Sequence, residues 1–117
     1  MSQVVISIKV FVGPDKDYAD ILTLYGPSNT YLVQGCIFDM RHTVFKQDEA
    51  IDGVTGAKIS LKRCLFLGCE KTLLAGNGDF PKEDAAGASW DIEDCVFIGC
   101  GRRHPDAQDG TRVKTLS

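Results

Sequence analysis

Cysteine is the residue type whose spacing first invites chemistry in this chain of 117 residues. Thiolates ligate zinc, and paired thiols close disulfides. The count is five, and an odd number excludes a complete disulfide framework in a short chain. Cys69 follows Cys64, and Cys100 follows Cys95, with the same C-x4-C spacing, but a convincing second pair of zinc ligands is lacking. The spacing instead sorts the cysteines into two sets, Cys36, Cys64 and Cys95 in one and Cys69 and Cys100 in the other. If the segments that carry them stack at a strand spacing of roughly 4.8 Å, each set becomes a ladder of small buried thiols, because cysteine packs as a small hydrophobe. A disulfide within a ladder is geometrically allowed at that separation.

The elements that must build such ladders are three copies of one phrase. They are Tyr31-Leu32-Val33-Gln34-Gly35-Cys36-Ile37-Phe38, Ile59-Ser60-Leu61-Lys62-Arg63-Cys64-Leu65-Phe66 and Trp90-Asp91-Ile92-Glu93-Asp94-Cys95-Val96-Phe97. Each has bulky residues five and three places before the cysteine and a Phe two places after it, which reads as a strand with alternate side chains on one face. The copies are 28 and 31 residues apart, a period that signals a solenoid with one copy per rung.

Around these copies the chain reads as short strands and turns. Val4 to Val12 is apolar and β-branched, and Gly13-Pro14-Asp15 ends it as a turn ends a strand. Ile21 to Tyr25 is a second strand, stopped by Gly26-Pro27-Ser28-Asn29. Ala50-Ile51-Asp52-Gly53 leads into the second copy, and Leu73-Leu74-Ala75-Gly76 runs into the turn signal Asn77-Gly78. A loop from Asp79 to Ala88 precedes the third copy, and the chain after Cys100 is polar and ends in an open tail. No segment has sustained helical periodicity. The expected fold is all-β, a right-handed parallel β-helix of about four rungs, forming a single domain over residues 1–117. No amphipathic capping helix is visible at either end, so the solenoid is expected to be truncated or uncapped, with self-association through its open ends.

Composition narrows the partners. The chain is 44% hydrophobic with a net charge of -3, and its Lys and Arg residues are scattered singly among acids, which argues against a nucleic-acid surface. No apolar run approaches membrane-spanning length. Met1-Ser2-Gln3 followed by Val4-Val5-Ile6-Ser7-Ile8 is neither a basic leader nor a full signal-peptide core, so no export signal is expected in the chain as written.

Several of these residues also carry a likeness. Asp20-Ile21-Leu22-Thr23-Leu24 followed by Ser28-Asn29-Thr30-Tyr31-Leu32-Val33, the acidic Asp48-Glu49-Ala50-Ile51-Asp52, Lys71-Thr72-Leu73-Leu74-Ala75-Gly76 and Arg103-His104-Pro105 occur in that order. Over residues 19–108 the chain thereby resembles the central coils of the family 1 polysaccharide lyases, the pectate lyases, which are parallel β-helices. The resemblance implies calcium-dependent β-elimination of polygalacturonate, an anionic polysaccharide, and it implies secretion.

The implied chemistry has a physical rationale. β-Elimination removes the proton at C5 beside a carboxylate and expels the O4 oxygen. An anionic carboxylate is a poor electron sink until a cation neutralises it, and a calcium ion held by protein and substrate carboxylates is suited to that work. By the resemblance, Asp20, Asp48 and Asp52 are the calcium ligands, Lys71 binds a substrate carboxylate and Arg103 is the Brønsted base. Arg102 stands beside it among the substrate-binding residues, and the spacing to Pro105 selects Arg103 as the base. Without the resemblance, an Asp near a turn reads as a solvated turn residue or cap, and a Lys between strands as a solvated cation.

Gln108 stands where the family has a second, substrate-binding arginine, and an amide supplies neither the charge nor the bidentate fork. Gln34-Gly35 likewise replaces the family's Asp-His pair. A catalytically inactive β-helix module, for carbohydrate binding or structural assembly, is therefore the second expectation.

Overall fold

Each copy of the phrase bends once, and the bend decides the architecture. Gly35, Arg63 and Asp94 have φ values of 63°, 53° and 58°, in the left-handed region, and each stands immediately before the cysteine of its copy. The bend adds one residue to the alternation, so the inward side chains fall at Tyr31, Val33, Cys36 and Phe38 and not at strict twos. One phrase therefore makes two strands. The computed structural model describes residues 2–13, 21–41, 49–54, 56–69, 71–75, 78–79, 89–100 and 112–113.

In chain order the strands are β1 (Ser2–Ser7), β2 (Val10–Val12), β3 (Leu22–Tyr25), β4 (Asn29–Gln34), β5 (Ile37–Asp39), β6 (Glu49–Val54) and β7 (Lys58–Lys62). They continue as β8 (Leu65–Leu67), β9 (Lys71–Ala75), β10 (Gly78–Asp79), β11 (Ser89–Glu93), β12 (Cys95–Ile98) and β13 (Arg112–Val113). No helix occurs among the described residues. The expected strand from Val4 to Val12 is two strands, because Ile8 adopts the same bend with φ 52°.

Three sheets result, with orders β1-β4-β7-β11, β3-β6-β9-β10 and β2-β5-β8-β12-β13. Pairing between successive repeats is parallel throughout, as in β4 with β7 and β7 with β11. Two strands depart from that rule. β10 pairs antiparallel with β9, and β13 lies antiparallel on β12. The polar tail thus returns to the sheet at Arg112 and Val113, although a sequence this short gave no strand signal.

Register places like on like. Tyr31, Ile59 and Trp90 align, as do Val33, Leu61 and Ile92, and Phe11, Phe38, Phe66 and Phe97. The Phe rings stack at centroid separations of 5.1, 4.9 and 4.8 Å with interplanar angles of 13°, 7° and 6°. Parallel strand spacing imposes this offset stacking on identical side chains. The inward residues of all three sheets, including all five cysteines, join one buried cluster.

The bends are stitched together as the strands are. Ile8 N–H donates to Gln34 O, Gly35 N–H to Lys62 O and Arg63 N–H to Glu93 O, at 3.1, 2.9 and 3.0 Å. A second corner follows β8 and β12, where Gly68 and Gly99 both have φ 65°. A Cβ at Gly68 would stand 3.0 Å from Arg41 Cγ, so glycine is needed there for space as well as conformation.

Candidate functional site

Two of the residues expected to do chemistry, Asp52 and Lys71, lie on the β3-β6-β9 sheet. Unlike the other two sheets, it carries no repeated phrase. Asp52 lies within β6 between buried Ile51 and buried Gly53 and is itself half-buried, with its Oδ1 shielded from solvent. Its backbone partners are Thr23 of β3 on one side and Leu74 of β9 on the other. Lys71 opens β9 and pairs by backbone register with Glu49, which opens β6. Asp52 and Lys71 therefore belong to neighbouring strands of one sheet, three rows apart along the register.

Asp20, Asp48, Arg102, Arg103 and Gln108 lie outside the described residues. β3 begins at Leu22 and β6 at Glu49, and these two strands pair directly. The strands that follow Asp20 and Asp48 in sequence are thus adjacent in space. Among the described residues no group of three or more His, Cys, Asp or Glu side chains is placed to hold a metal ion. The donor set proposed for calcium is all carboxylate, which suits a hard cation, and Asp52 is its described member.

Glu49 was not singled out by sequence reasoning as a partner for Lys71. The signal that finds it is register, since the two residues are far apart in the chain and each looks like an ordinary charge beside a turn.

A second polar arrangement lies at the end of β5. Asp39 is largely buried, and it accepts hydrogen bonds from Arg41 N–H at 3.0 Å, Arg41 Nε at 2.9 Å and Arg41 Nη2 at 2.8 Å. The carboxylate is held by a bidentate guanidinium and a backbone donor two residues on, a strong charge-assisted geometry that closes the corner after β5. Hydrogen bonding to Asp39 pushes the Arg41 guanidinium further up from its ordinary range. This pair organises a turn, and sequence reasoning missed it because nothing in the text marks Asp39 as buried. Elsewhere, Lys62 Nζ and Glu93 Oε2 approach to 3.7 Å on the exposed side of β7 and β11, a contact of small energetic weight.

An open depression on the outer surface is lined by Arg63, Cys64, Leu65, Asp94 and Val96. It follows the bends of the second and third copies and contains none of the residues expected to bind calcium or substrate. The five cysteines are buried thiols, none in a disulfide. Hydrogen bonding to Cys95, together with burial, pushes the Cys64 thiol up, and hydrogen bonding to Cys100, together with burial, does the same for Cys69. Both are held protonated and are poor zinc ligands in this state. No helix of the described residues is long and apolar enough to cross a membrane. No protein-family profile, curated protein or solved structure matches the chain.

Proposed function

We propose that the chain is a right-handed parallel β-helix of about four rungs that performs pectate lyase-like, calcium-dependent β-elimination on polygalacturonate. The observation that carries the reading is the adjacency of β3, β6 and β9 in one parallel sheet. It puts Asp52 and Lys71 on neighbouring strands and sets the strands after Asp20 and Asp48 side by side, as the ordered motifs require.

In this reading Asp20, Asp48 and Asp52 hold the ion, which when bound neutralises the substrate carboxylate and so acidifies the C5 proton. Lys71 fixes a second uronate carboxylate along the sheet, and Arg102 and Gln108 contact the polymer beside it. Arg103 takes the C5 proton. Arginine acts as a base only where surrounding positive charge lowers its proton affinity, since a guanidinium otherwise stays protonated. Gln108 binds a carboxylate through a single neutral hydrogen bond, so turnover is slow.

The test is to incubate the full chain with polygalacturonate and calcium and to follow ultraviolet absorbance of the unsaturated product. A calcium-dependent rise that vanishes in Arg103→Ala, and that grows roughly a hundredfold in Gln108→Arg, supports the lyase. A flat trace from folded protein with saturating calcium rejects it.

A second reading, an inactive module for carbohydrate binding or structural assembly, is favoured by a specific feature. Among the described residues, β1, β2 and β3 each terminate their sheets with a parallel partner on one side only, and exposed Val4, Val5, Val10 and Val12 lie along that end. Edges of this kind pair with other chains. Light scattering distinguishes the outcomes, because an assembling module forms dimers or larger species whereas a monomer at high concentration does not.

A further inference from the structure

Cys69 and Cys100 take no part in the proposed site, yet their placement is specific. The parallel register of β8 and β12 pairs Phe66 with Phe97 and Leu67 with Ile98. It continues through the two left-handed glycines, where Gly68 N–H donates to Ile98 O at 2.9 Å. That stitch carries the following cysteines into one column, close enough that Cys100 pushes the Cys69 thiol up. Cys100 Sγ also reaches back one repeat to donate to Phe66 O at 3.4 Å. Cys69 is wholly buried and Cys100 is 7% exposed.

The other cysteine column differs in one respect. Cys64 N–H donates to Cys95 Sγ at 3.4 Å, and Cys36 occupies the same place one repeat earlier, so Cys64 has a thiol neighbour on each side. In the second column the earlier repeat supplies Met40 and Arg41 after β5. Cys69 and Cys100 thus have one cysteine partner each.

We propose that Cys69 and Cys100 form an oxidative modification site, an intramolecular disulfide that ties the last two repeats together. The oxidant is a low-molecular-weight disulfide of the glutathione class. One cysteine thiolate attacks the reagent, forming a mixed disulfide and releasing one reagent thiol. The second thiolate then attacks the protein sulfur of that mixed disulfide and displaces the second reagent thiol. Two protein S–H bonds and one reagent S–S bond are exchanged for one protein S–S bond and two reagent S–H bonds, and two electrons pass from the protein sulfurs to the reagent.

Geometry permits the product. Adjacent parallel strands lie roughly 4.8 Å apart, within the range of Cα separations that disulfides span. Burial sets the kinetics. Both thiols are shielded by burial, so exchange proceeds through opening of the last repeat or during folding. Among the described residues, β12 is held on its outer side by the short β13 alone.

The experiment refolds the full chain in a glutathione redox buffer, confirms the fold by circular dichroism, then blocks remaining thiols with an alkylating agent in acid-quenched, denaturing conditions and maps cystines by mass spectrometry without reduction. The expected result is one cystine joining Cys69 and Cys100, with Cys36, Cys64 and Cys95 alkylated. Cys95→Ser keeps that cystine and Cys100→Ser loses it. Five alkylated thiols in the folded protein at every buffer ratio overturn the proposal, as does a cystine within the Cys36, Cys64 and Cys95 column. The wild-type map decides the matter even where a serine variant fails to fold.

Discussion

The interior columns and the β3-β6-β9 sheet are built on opposite plans. Inside, a position repeats its residue type from strand to strand: Phe11, Phe38, Phe66 and Phe97 stack face upon face, and Cys36, Cys64 and Cys95 follow suit. On β3, β6 and β9 the rows are mixed, with Thr23, Asp52 and Leu74 in one and Leu24, Gly53 and Ala75 in the next. Parallel pairing makes equivalent positions neighbours in both cases. Repetition yields close packing, whereas variation brings unlike groups together, and only unlike groups can position a substrate. The repeats are scaffold, and the departures from repetition are where chemistry is expected.

That contrast can be broken most forcefully at the Phe column. Phe66→Ala removes a fully buried ring held between two others and should cost about 3–5 kcal/mol in urea unfolding. Phe11→Ala, at the half-buried end of the stack, should cost well under half as much. Equal losses would show that the column does not act as a graded stack. Next comes the corner at Gly68, where Gly68→Ala combines a left-handed backbone with a clash against Arg41 and should cost about 2 kcal/mol. Gly35→Ala meets nothing closer than 3.8 Å and should cost about 1 kcal/mol.

The buried thiols give a pH signature. Hydrogen bonding to Cys100, with burial, raises the folded-state pKa of Cys69 above its ordinary 9.0. The folded state then keeps a proton that the unfolded state releases, so the contribution of Cys69 is complete below pH 9 and declines as pH rises beyond it. The slope is about 1.4 kcal/mol per pH unit, and Cys69→Ala should lack it when stability is measured from neutral pH upward.

Smaller effects sharpen the bend and the mixed sheet. Ile8 is a β-branched residue at φ 52° and is 87% exposed, so Ile8→Gly should raise the thermal midpoint, by about 1 kcal/mol of stability net of the glycine's unfolded-state freedom. A loss would show that the first bend is held by contacts of the Ile8 side chain. On the mixed sheet, Asp52→Asn should change stability by less than about 1 kcal/mol while weakening calcium binding at least about tenfold by calorimetry. Unchanged calcium binding would remove Asp52 from the proposed ligand set.

Much of the interior was legible because it is spelled in identical letters. Cys and Phe recur at fixed distances, and a reader needs only strand spacing to stack them. The bends were not legible, since Ile8, Gly35, Arg63 and Asp94 share a backbone conformation but no side-chain chemistry. That is why a strict alternation was read where an extra residue intervenes, and why Val4 to Val12 looked continuous. β13 is too short to carry a pattern, and its pairing is a tertiary event. Asp52 and Lys71 were picked out through motif resemblance, while the pairing of Glu49 with Lys71 depends on strand register, which no local pattern encodes. The Asp39–Arg41 fork becomes visible only when β5 is known to end at a buried Asp39.

The hydrogen bonds that cross each bend have a consequence for how such a chain can change length. Because Gly35 and Arg63 donate forward to Lys62 and Glu93 in the same way, one full copy is interchangeable at its boundaries with the next. Duplication of a whole copy preserves every seam, whereas one extra amino acid between Gly35 and Cys36 would turn the following thiol and ring from inside to outside. Growth by copying is cheap for this architecture, and growth by single letters is not.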